Sequence, residues 1–588
     1  MIRRKHALAA SIAGLLVVSG VNVADAAPGS WAVRVLRGMS LEEKVGQLFV
    51  LDVQGRTADD PGNLAKYGVD TPAEVIERYR PGGVIYFNNS GTDNVDDPAQ
   101  VANLSNGLQR AALSSGARLP LIIATDQEGG RVTRISAPAT EYPASMAVGA
   151  GRSAEDARQL AAINSRELRA MGINQDFAPD ADVNSNPLNP VIGSRSFSAD
   201  PALTGRLVAA EVDGYQNSGR PAETVSSAAK HFPGHGDAAT DSHTGLPVIS
   251  RTEQQWREID LPPFQAAIKA GIDVIMTAHI TVPSLDPSGE PATLSKPIMT
   301  GILRDELGYN GVVVTDSLAM AGVRQMHPDS EIPVLALEAG VDQMLMPPDP
   351  AASINGVLDA VKSGRLTEQR IDQSVLRILE LKRKRGIVAQ PLVDPRAVGR
   401  TVGTRAHLDA VQRLTDRTTT VLRNDAGLLP LHNAGKVLVT GWDNPAYPGY
   451  PAEPVATLAN QLGGTAVSTG ASPAPEQIAA AVNAARQSDT VIVLTNGLRT
   501  SAQQQELING LVATGKPVIA VTVQEPYDPG YADVPTWVAT YDWRDVTMKS
   551  LAKVLLGQIS PQGKLPVAIP AGDEPGKVLY PFDTGLTW

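Results

Sequence analysis

Two stretches of this 588-residue chain concentrate side chains that can do chemistry. The first runs Lys230-His231-Phe232-Pro233-Gly234-His235-Gly236-Asp237 and continues to Asp241-Ser242-His243. Three histidines and two aspartates within fourteen residues hold enough donors for a zinc ion. Against zinc stands the layout. His231 continues an apolar run, whereas His235 and His243 fall in a glycine-rich loop, and no helix fixes a ligand geometry. His235, between two glycines, reads as a hydrogen-bonded residue under the loop. The second stretch is Gly311-Val312-Val313-Val314-Thr315-Asp316-Ser317-Leu318. An aspartate after a buried strand can cap the following helix, or it can serve as a nucleophile if the strand ends in a catalytic cleft.

The elements that must position these residues are eight strand-like runs between helical patterns: 45–53, 83–87, 119–126, 173–182, 226–232, 273–280, 311–316 and 342–346. Apolar runs alternating with helices predict parallel strands with crossover helices, and eight is the number that closes a (β/α)8 barrel. Periodicity alone also allows an open doubly wound sheet. The barrel is favoured because Asp126, Asp180, Asp182, Lys230, His231, His279 and Asp316 fall at or just past the C-terminal ends of their runs. A barrel gathers those ends around one mouth, where barrel active sites are built. The predicted organisation is a signal peptide at 1–26, a barrel over 27–386, a linker over 387–405 rich in glycine and proline, and a smaller α/β sandwich over 406–588. Strand-like runs at 436–440, 490–494, 517–523, 537–541 and 565–569 define the sandwich. No catalytic motif is visible there, although its loops are free to reach the barrel's mouth.

Bulk properties narrow the function. The net charge is −11, which argues against nucleic acid, where phosphate attraction supplies most of the affinity. The basic run Lys382–Arg385 reads as a helix C-terminus complementing its dipole. Arg3, Arg4 and Lys5 precede an apolar stretch from Ala7 to about Val18, and Ala24-Asp25-Ala26 offers a small-residue cleavage site. That is the layout of a secretory signal peptide. The stretch is shorter than the ~20 residues of a membrane span, so a secreted, extracellular protein with no stable membrane insertion is expected. With no cysteine in the chain, thiolate chemistry, disulfides and a cysteine-linked lipid anchor are all excluded.

Over roughly residues 38–386 the chain resembles glycoside hydrolase family 3, in its bacterial β-N-acetylglucosaminidase branch. The resemblance is carried by Ser40–Gln47, Asp126-Gln127-Glu128-Gly129-Gly130-Arg131-Val132, Gly193-Ser194-Arg195-Ser196-Phe197, the Lys-His-Phe-Pro-Gly-His-Gly stretch, Met276-Thr277-Ala278-His279-Ile280, Pro291–Ser295 and Val314-Thr315-Asp316-Ser317-Leu318, in the family's order. Departures are small, such as Ser194 before Arg195. The resemblance implies a barrel followed by an α/β sandwich, with Asp316 as the nucleophile that forms a glycosyl ester. It implies His243, oriented by Asp241, as general acid/base on a loop. Asp126, Arg131, Arg195, Lys230 and His231 would hold the N-acetylglucosamine ring. Other branches of the family place a carboxylate acid/base on the second domain, and the Asp-x-His loop sets this chain apart from them.

These roles make a coherent retaining mechanism, with one nucleophile beneath the anomeric carbon and one proton donor at the leaving oxygen. Such a site needs neither metal nor cofactor. The expected activity is hydrolysis of terminal β-linked N-acetylglucosamine from peptidoglycan fragments, chitin oligomers or related glycosides. Three rivals remain at this stage: a zinc-dependent hydrolase on the His/Asp loop, a non-catalytic carbohydrate-binding protein, and a phosphorylase on the same site. A histidine does not repel phosphate as a carboxylate does, but a sugar phosphate conserves energy to little purpose outside a cell.

Overall fold

The computed structural model describes residues 30–89, 91–432, 435–574 and 576–588, so the expected signal peptide lies outside the described residues. Eight strands close into a parallel barrel: β1 (Phe49–Asp52), β2 (Gly83–Ile85), β3 (Ile122–Thr125), β4 (Gln175–Asp176), β5 (Ser226–Phe232), β6 (Val274–Thr277), β7 (Val312–Ser317) and β8 (Gln343–Leu345). β8 pairs back onto β1 through Phe49 with Met344 and Val50 with Leu345, which rules out the open sheet. Strands buried on both faces tend to read as continuous apolar runs, as β1, β3, β6 and most of β7 do, whereas β4 is Gln-Asp and β5 carries serines, a lysine and a histidine.

The ends of the runs are harder to read. The run 45–53 begins in a helix, Leu41–Gln47, and only its second half is strand. Ser40 and Glu43 form a capping box that satisfies two free N–H groups and starts the helix. A short apolar run carries no period that separates a helix end from a strand.

Residues 387–405 pack against the barrel. Asn106 Nδ2 donates to Val393 O and Val393 N returns a bond to Asn106 Oδ1. A short 3-10 helix, Pro395–Arg400, lies along the helix Pro98–Ser114. Beyond it, a six-stranded sheet is built from β9 (Thr420–Asn424), β10 (Val437–Gly441), β11 (Thr465–Ser468), β12 (Thr490–Thr495), β13 (Val518–Thr522) and β14 (Thr536–Ala539). Its order is β11-β10-β12-β13-β14-β9, with β9 alone antiparallel. Alternate residues feed two cores, as strand geometry requires. Leu438, Val491 and Val493 pack with the helices Pro475–Arg486 and Ala502–Val512. Val439, Ile492 and Leu494 pack with Pro454–Leu462 and Asp545–Leu555. The expected strand at 565–569 is not part of this sheet. Its end forms a two-stranded ribbon, β15 (Ile569–Pro570) with β16 (Val578–Tyr580).

The two domains share core. Met146, Ala147 and Ala150, from a short barrel helix, are buried in the sandwich's own apolar cluster. Asp542 accepts the Ala144 N–H at 2.8 Å, and the fully buried Arg544 donates from Nε to Gly130 O at 2.8 Å. Among the described residues, no helix is long and apolar enough to cross a membrane.

Candidate active site

A cleft of about 460 Å³ opens at the C-terminal ends of the barrel strands. Asp126, Arg131, Arg195, Lys230, His231, His243 and Asp316 all line it, so seven of the eight residues singled out in the sequence are brought to one place. The eighth, Asp241, stands behind His243: its Oδ1 lies 2.7 Å from His243 Nδ1 and also accepts the His243 N–H at 2.9 Å. That contact leaves Nε2 of His243 for another partner. The His243 side chain is 59% exposed, on a loop whose backbone is tied down by Gly322 N to Ser242 O at 3.1 Å. His235 is buried beneath the same loop, with Nε2 2.9 Å from Ser242 Oγ.

Lys230 and His231 are neighbours on β5, and neighbours on a regular strand point to opposite faces. The pairing of β5 with β6 shifts register between Ala229 and Phe232, and both side chains reach the cleft. Lys230 Nζ sits 2.8 Å from Asp126 Oδ1 and 2.6 Å from Glu128 Oε1. Arg195 grips Glu128 with both nitrogens of its fork, Nε at 2.9 Å and an Nη at 2.8 Å. Glu128, which carried no role in the sequence reading, is therefore the hub of the site. Burial opposes its charge, but the Arg195 and Lys230 cations outweigh burial and hold its carboxyl far below the usual range. Asp126 also faces Arg134 at 3.5 Å.

His231 rests on a buried carboxylate pair. Its Nδ1 is 2.7 Å from Asp182 Oδ2 and 3.9 Å from Asp180 Oδ2. Burial and the neighbouring Asp182 charge push Asp180 well up. At Asp182 the His231 ring and the contacts with His235 outweigh burial and hold the carboxyl low. The ligand atoms of Asp180, Asp182 and His231 lie within 4.8 Å of one another, the one such donor cluster among the described residues. It contains neither His235 nor His243, whose rings are engaged with Ser242 and Asp241, so the three histidines on which the rival zinc reading rested do not share one cluster.

Asp316 ends β7 and caps no helix, since the next helix is Ala321–Arg324 and its cap residue is Met320. Its Oδ1 accepts the Ser317 N–H at 2.7 Å. Burial works against its charge, yet the His231 and His279 rings, the Ser317 N–H and His243 outweigh burial and hold it below the usual carboxylate range. His279 lies beneath this strand end, bonded through Nε2 to Ser317 O at 3.0 Å and through Nδ1 to Thr293 Oγ1 at 2.8 Å. It supports the backbone that carries Asp316. An acidic carboxylate, an exposed His–Asp pair and a set of paired cations and anions on one cleft are the groups that acid/base-assisted displacement requires.

The sandwich completes the wall with Tyr447, and Glu525 stands 4.0 Å from Arg131. Neither was singled out in the sequence. Only long-range folding brings them here, so no local pattern marks them.

Comparison with known proteins agrees with this architecture. Residues 40–381 match the glycosyl hydrolase family 3 N terminal domain, and residues 419–588 match the family 3 C-terminal domain. A beta-hexosaminidase A from Pseudoalteromonas piscicida is 38% identical over 430 residues, covering 68% of this chain and 70% of that protein. A beta-N-acetylglucosaminidase/beta-glucosidase from Cellulomonas fimi is 28% identical over 411 residues, covering 68% of each. Among solved structures, a family 3 beta-N-acetylglucosaminidase from Paenibacillus sp. str. FPU-7 superposes with a TM-score of 0.83 at 37% identity, covering 91% of this chain and all of that one. The chain belongs to glycosyl hydrolase family 3 and is a glycoside hydrolase.

Proposed function

We propose that the protein is a retaining exo-β-N-acetylglucosaminidase that works through a covalent ester on Asp316. One observation carries this reading: the low-pKa carboxylate of Asp316 and the His243–Asp241 pair open onto one cleft, around the Lys230, Asp126, Arg131, Arg195 and His231 set. The carboxylates lining that cleft, Asp126, Glu128 and Asp316, all belong to the barrel. The first two are engaged by Lys230, which leaves His243 as the group suited to transfer a proton.

In the first step an Asp316 oxygen bonds to the anomeric carbon while the bond to the leaving oxygen breaks, and Nε2–H of His243 protonates that oxygen. In the second, Nε2 takes a proton from water as its oxygen attacks the same carbon, releasing the sugar in its original β configuration and freeing Asp316. Asp241 holds the tautomer that keeps Nε2 available. Export, implied by the N-terminal pattern, makes peptidoglycan fragments or chitin oligomers the natural substrates.

The relatives' names span N-acetylglucosaminidase and glucosidase, which sets the test. We expect kcat/KM on a nitrophenyl N-acetyl-β-glucosaminide to exceed that on the β-glucoside by at least ~100-fold, with β-configured N-acetylglucosamine as first product by NMR. An α-configured first product, or preference for the glucoside, would refute the reading. A sugar 1-phosphate as the main product when inorganic phosphate is added would make the enzyme a phosphorylase.

A further inference from the structure

Glu525 follows β13 of the C-terminal domain, and its Oε1, which accepts from the adjacent Gln524 Nε2 at 3.2 Å, also reaches the barrel. Oε1 accepts the Ser194 N–H at 3.2 Å and the Ser194 hydroxyl at 3.3 Å, and lies 4.0 Å from an Arg131 nitrogen. The whole group lies flat against Gly193, where an added Cβ would fall 2.3 Å from Oε1 and 2.4 Å from Oε2. Gly193 also has φ +48, which favours glycine independently. The turn Gly193–Arg195 is thus seated from below by a residue of the other domain.

That turn carries Arg195. Val191 O, just before it, accepts from both Arg195 at 3.3 Å and Arg131, so the two guanidiniums share one backbone anchor. Arg131 is otherwise held only by neutral carbonyls, Val191 O and Ile192 O at 3.3 Å. Glu525 is the one carboxylate placed within 4.0 Å of it among the described residues. At that distance the contact is Coulombic and steers the guanidinium without a hydrogen bond.

We propose that Glu525 is a positioning residue of the sugar site, through which the C-terminal domain seats the Gly193–Arg195 turn and balances Arg131 so that both arginines face the sugar. The inference rests on Arg131 and Arg195 being sugar ligands. It gives the sandwich a role that Tyr447's place in the wall does not: removing Glu525 loosens two barrel residues at once. A glutamine keeps an acceptor for Ser194 and loses the charge opposite Arg131, so the two halves of the role separate.

The test is steady-state kinetics of the full chain on a nitrophenyl N-acetyl-β-glucosaminide, with N-acetylglucosamine as product inhibitor and the melting temperature measured alongside. Glu525→Ala should raise KM and the inhibition constant roughly tenfold, the equivalent of about 1.4 kcal/mol of binding, with a smaller fall in kcat. Glu525→Gln should raise both about threefold, and its melting temperature should stay at the wild-type value. In an Arg131→Met background, Glu525→Gln should add little further effect, because it acts through that side chain. The idea is overturned if Glu525→Ala changes only the melting temperature, or if Glu525→Gln costs as much without Arg131 as with it. Should Arg131→Met and Arg195→Met leave KM unchanged, the sugar-site reading itself fails and this inference falls with it. Should they raise KM while both Glu525 variants do not, this inference alone fails.

Discussion

Replacing Glu128 by glutamine removes one negative charge and almost no volume, and the structure says what that costs. The carboxylate serves two buried cations at once, Lys230 at 2.6 Å and Arg195 at 2.8 and 2.9 Å. Both cations are held above their ordinary pKa, although burial works against their charge, and Glu128 is a main cause in each case. Breaking a buried pair costs about 3–5 kcal/mol because an uncompensated charge is left behind. Asp126 still faces Lys230 at 2.8 Å, so the lower end, about 3 kcal/mol, applies. If that energy serves to hold the two sugar-binding cations, kcat/KM should fall by about two orders of magnitude. Whatever part of that energy serves folding instead should appear as a lower melting temperature, about 2–3 °C if all of it did. Steady-state kinetics and thermal denaturation on the same preparation read both. A Glu128→Gln enzyme with wild-type kcat/KM and melting temperature would refute the reasoning, because it would mean that the hub bears no charge load.

Three further outcomes follow from the same geometry. His243→Ala should lose far more activity on glycosides with poor alcohol leaving groups than on nitrophenyl glycosides, and azide should restore turnover of the latter; equal losses on both would return His243 to a structural loop residue. Prolonged EDTA or phenanthroline treatment should leave the rate unchanged, whereas loss restored by zinc would assign Asp180, Asp182 and His231 to a metal. Burial pushes the Asp176 carboxyl up to about 7, so the folded state holds a proton that the unfolded chain releases near 4. Its contribution to stability is full below about 4 and is lost as pH rises towards 7, on the order of 4 kcal/mol in all. Asp176→Asn should therefore flatten the fall in melting temperature between pH 4.5 and 7.5, and an unchanged slope would contradict this.

How far the sequence foretold this site follows from where its energy comes from. Buried parallel strands are mostly apolar, so β6 and β7 stand out, β5 follows through its small Ser-Ser-Ala-Ala run, and the polar residues that end them mark the mouth. Strand β11, Thr465–Ser468, is mostly exposed and carries no such run, while β9 is a mixed-polarity edge strand; both passed unseen. Glu128 in Asp-Gln-Glu-Gly-Gly-Arg looks like a solvated loop residue, because its burial is sustained only by Lys230 and Arg195, far along the chain. Glu525 is hidden for the same reason, its partners lying in another domain. His243 and Asp241 were legible since their contact spans two residues. The aspartate pair beneath His231 was noticed for its position at a strand end, but its service to His231 depends on the packing of β4 against β5.

The most direct test of the account is to trap the intermediate. A slow fluorinated N-acetylglucosaminide with a good leaving group should inactivate the enzyme with one equivalent of label, and digestion with mass spectrometry should place the sugar on the peptide carrying Asp316, with no label in Asp316→Ala. Label on any other carboxylate would contradict the central claim, as would full turnover of Asp316→Ala.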